Sequence, residues 1–346
     1  TLMFDLSGIA EDKLPYVGIL QSVLGIIDTT NYEYGALFNE INVHTGGIGT
    51  SLELYPDVTK VKEKEFRATF EMKGKALYPK MDVLFSMMRE ILMESKLDDE
   101  KRLKEIIAML RSRLQMSFLS SGHTTAALRA LSYTSPIAKF KDDTDGIGFY
   151  EVVKAIEEDF DGHKEELIRN LKEISAKIFR AYNLMVSYTS AEQGLEPMLA
   201  AFGAVRDSLN DHCGTEAAAG LRTGEGVQAG EGVHEGEGAR TGDLQAAADV
   251  DPETACVIHC RKRNEGFKTS SKVQYVARAG NFIDGGAEYT GALQILKVIL
   301  SYDYLWQNIR VKGGAYGCMS NFNRIGEGYL ISYRDPNLEK TMEIYE

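Results

Sequence analysis

The 346-residue chain has only four cysteines, seven prolines and one tryptophan, and no apolar run of the ~20 residues that a membrane-spanning helix needs. Four cysteines (Cys213, Cys256, Cys260 and Cys318) in so long a chain make no disulfide framework. That points to a reducing compartment, a bacterial-type cytoplasm or alternatively an organelle matrix. Basic residues are also short, 39 against 51 acidic, and the net charge of −12 repels nucleic acid and anionic membrane surfaces. Thr1–Ile9 has neither a basic n-region nor an Arg/Ser-rich presequence pattern, so it is read as structure rather than as a targeting signal.

With 44% apolar and 26% charged residues the chain can bury a core, and a length prior of ~150 residues per domain suggests two domains. The sharpest shift in composition is at Gly214–Gly242, where a glycine- and glutamate-rich hexapeptide recurs at Gly224, Gly230 and Gly236. Such a segment offers too little apolar surface to offset its ordering entropy and reads as a disordered linker. The expected organisation is a first, complete domain over 1–210, a linker over 211–262 and a second domain over 263–346.

Two periodicities, 2 and 3.6, alternate along the first domain. They predict strands at Thr1–Ile9, Ile48–Tyr55, Glu65–Lys73 and Leu184–Tyr188. Helices are predicted at Lys13–Asp28, Tyr34–Val43, Lys80–Met93, Asp98–Leu119, His163–Tyr182 and Glu196–Leu209. After the linker the order restarts, with a strand at Val273–Ala279, helices at Thr290–Ser301 and Tyr304–Arg310, and strands at Tyr316–Asn323 and Gly328–Tyr333. Tyr16, Gly18, Leu20 and Gln21 return at the same spacing as Tyr289, Gly291, Leu293 and Gln294, and Gly46-Gly47 returns as Gly313-Gly314. The fold class expected is α+β: two tandem homologous α/β domains, each a mixed, mainly antiparallel sheet covered by helices. The second copy is expected to be truncated, because it runs only ten residues past Pro336 whereas the first continues far beyond Pro79.

Chemistry is harder to place. The six histidines are widely spaced, and H-E-x-x-H, H-x-x-E-H and Gly-x-Ser-x-Gly are all absent, so no metal ligands are assigned to this chain. Cys256, His259 and Cys260, with His212 and Cys213 upstream, match no usual zinc spacing and read as strand or linker residues. Ser120–Thr124 reads as a helix–helix turn holding His123, partly buried or exposed for function. The most unusual segment runs from Leu305 to Cys318. There a helix carrying the only tryptophan, Trp306, ends in Gly313-Gly314, with Arg310 and Tyr316 on either side. Arginine's planar fork and tyrosine's phenol suit peptide carbonyls or a developing oxyanion. The plainer alternative is a helix-end charge and an ordinary strand aromatic.

Arg310–Gly317 and Ser332–Leu338 resemble the C-terminal half of the presequence protease branch of the pitrilysin/insulysin zinc metallopeptidases. Weaker matches occur in the same order at Phe4–Ile9, Thr45–Ile48, Ser121–His123, Arg263–Glu265 and Val273–Phe282. The resemblance implies a duplicated metallopeptidase-type fold and a zinc site in an N-terminal half outside this sequence. It also implies Arg310 and Tyr316 as catalytic donors reaching the substrate, with Gly313, Gly314 and Ala315 against the bound peptide. The partners implied are a peptide substrate and the N-terminal catalytic half. This chain alone is expected to hydrolyse nothing. Two rivals keep the same scaffold: a non-catalytic peptide-binding subunit or pseudo-enzyme, and a structural interaction module.

Overall fold

Alternate residues of Leu2–Asp5 (β1) are buried, with Leu2 and Phe4 under the sheet, as a half-buried strand requires. In the computed structural model, which describes residues 1–211 and 258–346, β1 lies inside a four-stranded sheet. Its partners are Ile48–Pro56 (β2), Phe66–Gly74 (β3) and Leu184–Val186 (β4), in the order β2-β3-β1-β4, every pair antiparallel. Phe4 and Phe70 each pack edge-on against Phe179, at 5.1 and 5.3 Å between centroids, contacts worth about 0.5–1.5 kcal/mol apiece beyond area burial.

Helices cover this core: Leu14–Val23 (α1), Tyr34–His44 (α2), Met81–Met93 (α3), Glu100–Leu131 (α4), Pro136–Asp145 (α5), Ile147–Glu158 (α6), Phe160–Ile178 (α7) and Leu195–Asp211 (α8). Two expectations are corrected and one is met. The first helix stops at Val23 rather than Asp28: Leu24 is already extended at ψ 130° and Gly25 follows at φ +86°, while Leu24 and Ile27 are buried. The break expected at Ser120–Thr124 is present as a kink that joins two helical segments of α4: Ser121 leaves helical geometry at φ −128°, ψ 32°, and the Thr124 hydroxyl donates to its carbonyl. Finally, α5 and α6 occupy a stretch where the sequence pattern predicts no element.

The second sheet joins Ala277–Asn281 (β5), Gly317–Phe322 (β6) and Glu327–Tyr333 (β7) in the order β5-β7-β6, again wholly antiparallel. Both sheets are therefore antiparallel among the described residues rather than mixed. Ala292–Ile299 (α9) continues into two π-helical stretches, Leu300–Tyr304 and Trp306–Val311, and Glu339–Ile344 forms α10. The small core under this sheet holds Val276, Leu305, Ile309, Ala315 and Tyr345. Reading from the first hairpin strand, β6-β7-β5 repeats the order β2-β3-β1. The recurring glutamines also do the same work. Gln21 donates to the Thr50 carbonyl in β2 at 3.0 Å, and Gln294 to the Phe322 carbonyl in β6 at 3.1 Å.

The two sheets are held together by α4, which packs beyond its kink against β5 and β7. Tyr275 donates to the Leu119 carbonyl at 2.8 Å, Lys64 pairs with Asp284 at 2.7 Å, and Ser135 donates to Glu327. The glycine repeat lies outside the described residues. Among those described, no helix is long and apolar enough to cross a membrane.

Candidate functional site

The bend at Gly313-Gly314 is built from backbone constraints. A Cβ on Gly313 would stand 2.5 Å from the Ile309 carbonyl oxygen, and Gly314 holds φ +83°, where side chains are strained. The Gly314 N–H donates to the Arg310 carbonyl and the Ala315 N–H to the Ile309 carbonyl, closing the π-helical stretch. Asn337 seals the other side by donating to the Gly313 carbonyl at 2.6 Å. The glycine pair thus packs against its own helix end, and Gly313 lies behind the groove described next.

Just past the bend, Tyr316 immediately precedes β6, its N–H donating to the Tyr333 carbonyl at 3.0 Å. Its ring stands edge-on to Tyr333, 5.5 Å between centroids. The Arg310 guanidinium lies 4.4 Å over the Trp306 ring and 5.6 Å from the Tyr316 ring. Together with Val311, Gly314, Ala315 and Arg334 these residues line an open groove of about 550 Å³. Of the residues singled out from sequence, Arg310, Tyr316, Gly314 and Ala315 meet there. Trp306, Val311 and Arg334 join them, and of these only the rarity of tryptophan and the Tyr-Arg-Asp-Pro run give any signal in the sequence.

Neither the Arg310 guanidinium nor the Tyr316 phenol has a hydrogen-bond or ion-pair partner among the described residues, and Tyr316 is 63% exposed. Donors held in place by stacking yet free at their polar ends are available to a ligand. Behind them the site is braced by Asp335, which is wholly buried. It accepts from the Thr341 hydroxyl at 2.7 Å and from the Asn337 N–H at 2.8 Å. On β6, burial pushes the Cys318 thiol up to about 11, against the opposing pull of Arg310.

His123 is drawn into the same neighbourhood. Its ring lies against Tyr333 and Tyr275, and burial lowers its pKa from the ordinary 6.5. Elsewhere His259 bonds to Glu11 at 3.0 Å and Cys260 is a half-buried free thiol. Cys213, Cys256 and His212 lie outside the described residues. No group of three His, Cys, Asp or Glu side chains among the described residues is placed to hold a metal ion.

Residues 1–156 match the model of the peptidase-associated domain of family M16, subfamily C, and residues 264–346 match the PreP C-terminal domain. The protein HypA of Clostridium perfringens is 33% identical over 99% of this chain, which covers 31% of HypA. Presequence protease 1, chloroplastic/mitochondrial, of Arabidopsis thaliana is 25% identical over the whole chain, which covers 28% of that protein. The crystal structure of pitrilysin aligns over 96% of this chain and 31% of its own, at 11% identity and a TM-score of 0.43. The chain spans about three tenths of the curated relatives it matches. Two family models matched in order on one chain, with relatives aligned along nearly all of it, make this chain similar to the C-terminal region of presequence-protease-type M16 peptidases.

Proposed function

We propose that the chain contributes to a longer zinc metalloendopeptidase that degrades short, unstructured peptides in a closed chamber. Its part is substrate binding and transition-state stabilisation, while the metal belongs to an N-terminal half. The observation that carries the reading is the pairing of Arg310 and Tyr316, both without polar partners among the described residues, on one groove within the PreP C-terminal domain match. When a peptide is bound, the guanidinium holds a substrate carbonyl oxygen by charge-assisted N–H donation, and the phenol donates to the same region as negative charge develops there. One such donor is worth about 2.7–4 kcal/mol in comparable sites. Zinc held by the N-terminal half would supply the activated water, and the residues of this chain only bind and orient the peptide and stabilise its developing charge.

The same reading makes 1–210 and 263–346 two copies of one domain joined by the glycine-rich stretch. The shared strand order and the matched Gln21 and Gln294 bonds support it. Only the second copy carries the arginine and tyrosine, so one copy serves as scaffold and the other meets the substrate. With bacterial and organellar relatives alike, the proposal keeps a cytoplasmic setting, with an organelle matrix as the alternative.

The test is kinetic and uses the full-length enzyme. Tyr316→Phe should lower kcat by about 10²–10³ with KM little changed, and Arg310→Ala should lower kcat and raise KM. Unchanged kinetics in either variant removes the assigned role. The chain alone should not cleave a fluorogenic peptide, whereas its mixture with the N-terminal half should, in a chelator-sensitive manner. A mixture that binds peptide without cleaving it would favour the non-catalytic scaffold.

A further inference from the structure

The Arg310 groove carries a second guanidinium. Arg334 is among its lining residues, 5.4 Å from the Tyr333 ring and 6.0 Å from the Tyr316 ring. Like Arg310, it has no carboxylate within 4 Å and no hydrogen-bond partner for its side chain among the described residues. It also holds φ +49°, one of two non-glycine residues described with positive φ, at a cost of order 1–3 kcal/mol. The surrounding structure enforces that geometry. Tyr333 ends β7, and Asp335, next along the chain, exchanges backbone hydrogen bonds with Gln274 at 2.9 Å in both directions. The left-handed residue between them turns its side chain out of the ladder and onto the groove.

The lining residues are Trp306, Arg310, Val311, Gly314, Ala315, Tyr316 and Arg334, among which there are two cations and no acid. The neighbouring Asp335 is fully buried and satisfied by Thr341 and Asn337. In a chain of net charge −12 this is a local reversal of sign. Two positive groups that both approach the Tyr316 ring, at 5.6 and 6.0 Å from its centroid, repel each other, and an anion between them relieves that repulsion. A neutral peptide carbonyl needs only one of them.

We propose that Arg334 makes this groove a carboxylate subsite, so that the peptides preferred here present a carboxylate beside the group held by Arg310. The carboxylate comes from the free C-terminus or from an Asp or Glu side chain; both offer the same two-oxygen acceptor to a guanidinium fork. The inference rests on the proposed peptide-binding role and names the class of substrate that role prefers.

Trp306 provides the readout, as the only tryptophan in the chain and part of the groove floor. Four N-acetylated peptides of one otherwise neutral sequence are titrated against the 346-residue chain while indole fluorescence is followed. One has a free C-terminal carboxylate, one is amidated, one is amidated with an internal Asp, and one is amidated with Asn in its place. At least one carboxylate peptide should bind about tenfold more tightly than its neutral counterpart, and the one that does identifies the source. The preference should shrink as salt rises from about 50 to about 500 mM. It should disappear in Arg334→Asn, which tolerates the left-handed backbone, and persist in part in Arg334→Lys; matching circular dichroism spectra establish that the variants are folded.

Equal affinity for all four peptides, no binding by any of them, or a carboxylate preference that survives Arg334→Asn would each overturn the proposal. Because no turnover is involved, this result is separable from the kinetic test of Arg310 and Tyr316. Carboxylate selectivity with unaltered Arg310 and Tyr316 kinetics would retain the subsite and discard the catalytic reading.

Discussion

The His123 and Tyr333 rings meet edge to face, their centroids 4.7 Å apart and their planes 67° apart. Tyr333 in turn backs Tyr316, so a histidine on α4 supports the groove beside the second sheet. The buried Nδ1 of His123 has no hydrogen-bond partner among the described residues, and burial lowers the pKa of the ring. In the unfolded chain the group titrates near 6.5, so between that value and the lower folded one the unfolded state binds more proton. Stability therefore falls as the pH drops below about 6.5 and levels off again once the folded pKa is passed. His123→Phe keeps an aromatic edge and removes the titration. Its thermal midpoint should decline less between pH 7 and 5 than that of the unaltered chain, and identical slopes would refute the assignment.

Close approach of the same helix to the second sheet sets another expectation. A Cβ on Gly122 would lie 2.3 Å from the Tyr275 ring, and that ring cannot swing aside freely because its hydroxyl is tied to the Leu119 carbonyl. Gly122→Ala should therefore destabilise by about 1–3 kcal/mol, the usual cost of overpacking. Gly203, also in a helix, faces open space, and Gly203→Ala should stabilise by about 0.5–1 kcal/mol. Urea unfolding of the two variants should give shifts of opposite sign; two shifts of the same sign would mean that Tyr275 yields and the contact constrains nothing.

What is legible in the sequence tracks how local the cause is. The hairpin of β2 and β3, the helix at Tyr34, and the return of the pattern after residue 262 all follow from short-range periodicity. The α5–α6 pair does not show, because its buried side carries Phe140 together with Asp142, Asp143 and Thr144. Asp142 is buried by virtue of a distant partner, Arg129, and because it accepts the N–H groups of Ile147 and Gly148 at the start of α6. No short window of sequence contains that information. The strand predicted from Val273 begins at Ala277 because the ladder is interrupted opposite, at the left-handed Arg334, leaving only a bridge from Gln274 to Asp335. At the site, the family resemblance implies roles for Arg310 and Tyr316 but none for Arg334, although Arg334 lies inside a resembling segment, since its place on the groove depends on that same backbone reversal.

The Arg129–Asp142 pair supplies a test of magnitude. Its N···O distance is 2.6 Å, with the carboxylate wholly buried and the guanidinium side chain 13% exposed; Arg129 also reaches Glu265 at 2.9 Å. The Lys172–Asp98 pair is equally short at 2.6 Å, but both of its side chains are more than half exposed. Coulomb attraction alone would rank the two alike. Desolvation separates them: losing Arg129 strands a buried charge, at about 3–5 kcal/mol, whereas losing Lys172 costs about 0–1 kcal/mol. Arg129→Met should thus lower the unfolding free energy several-fold more than Lys172→Met, and equal losses in denaturant titrations would show that water reaches Asp142.

Cys318 offers a final check, on the local environment of the groove. The residue sits on β6, one place beyond Gly317, and burial raises its thiol to about 11 although Arg310 pulls the other way. The thiolate is the reactive form, so a thiol titrating near 11 holds only ~0.1% of it at pH 8, compared with about a quarter for a free cysteine near 8.5. Iodoacetamide at pH 8 should therefore label Cys318 at least tenfold more slowly than a cysteine in a short peptide, as followed by peptide mass spectrometry. Substituting Arg310→Ala removes the one nearby cation that favours the thiolate and should slow labelling further. Faster labelling in that variant would mean that the arginine shields the thiol sterically rather than biasing its charge.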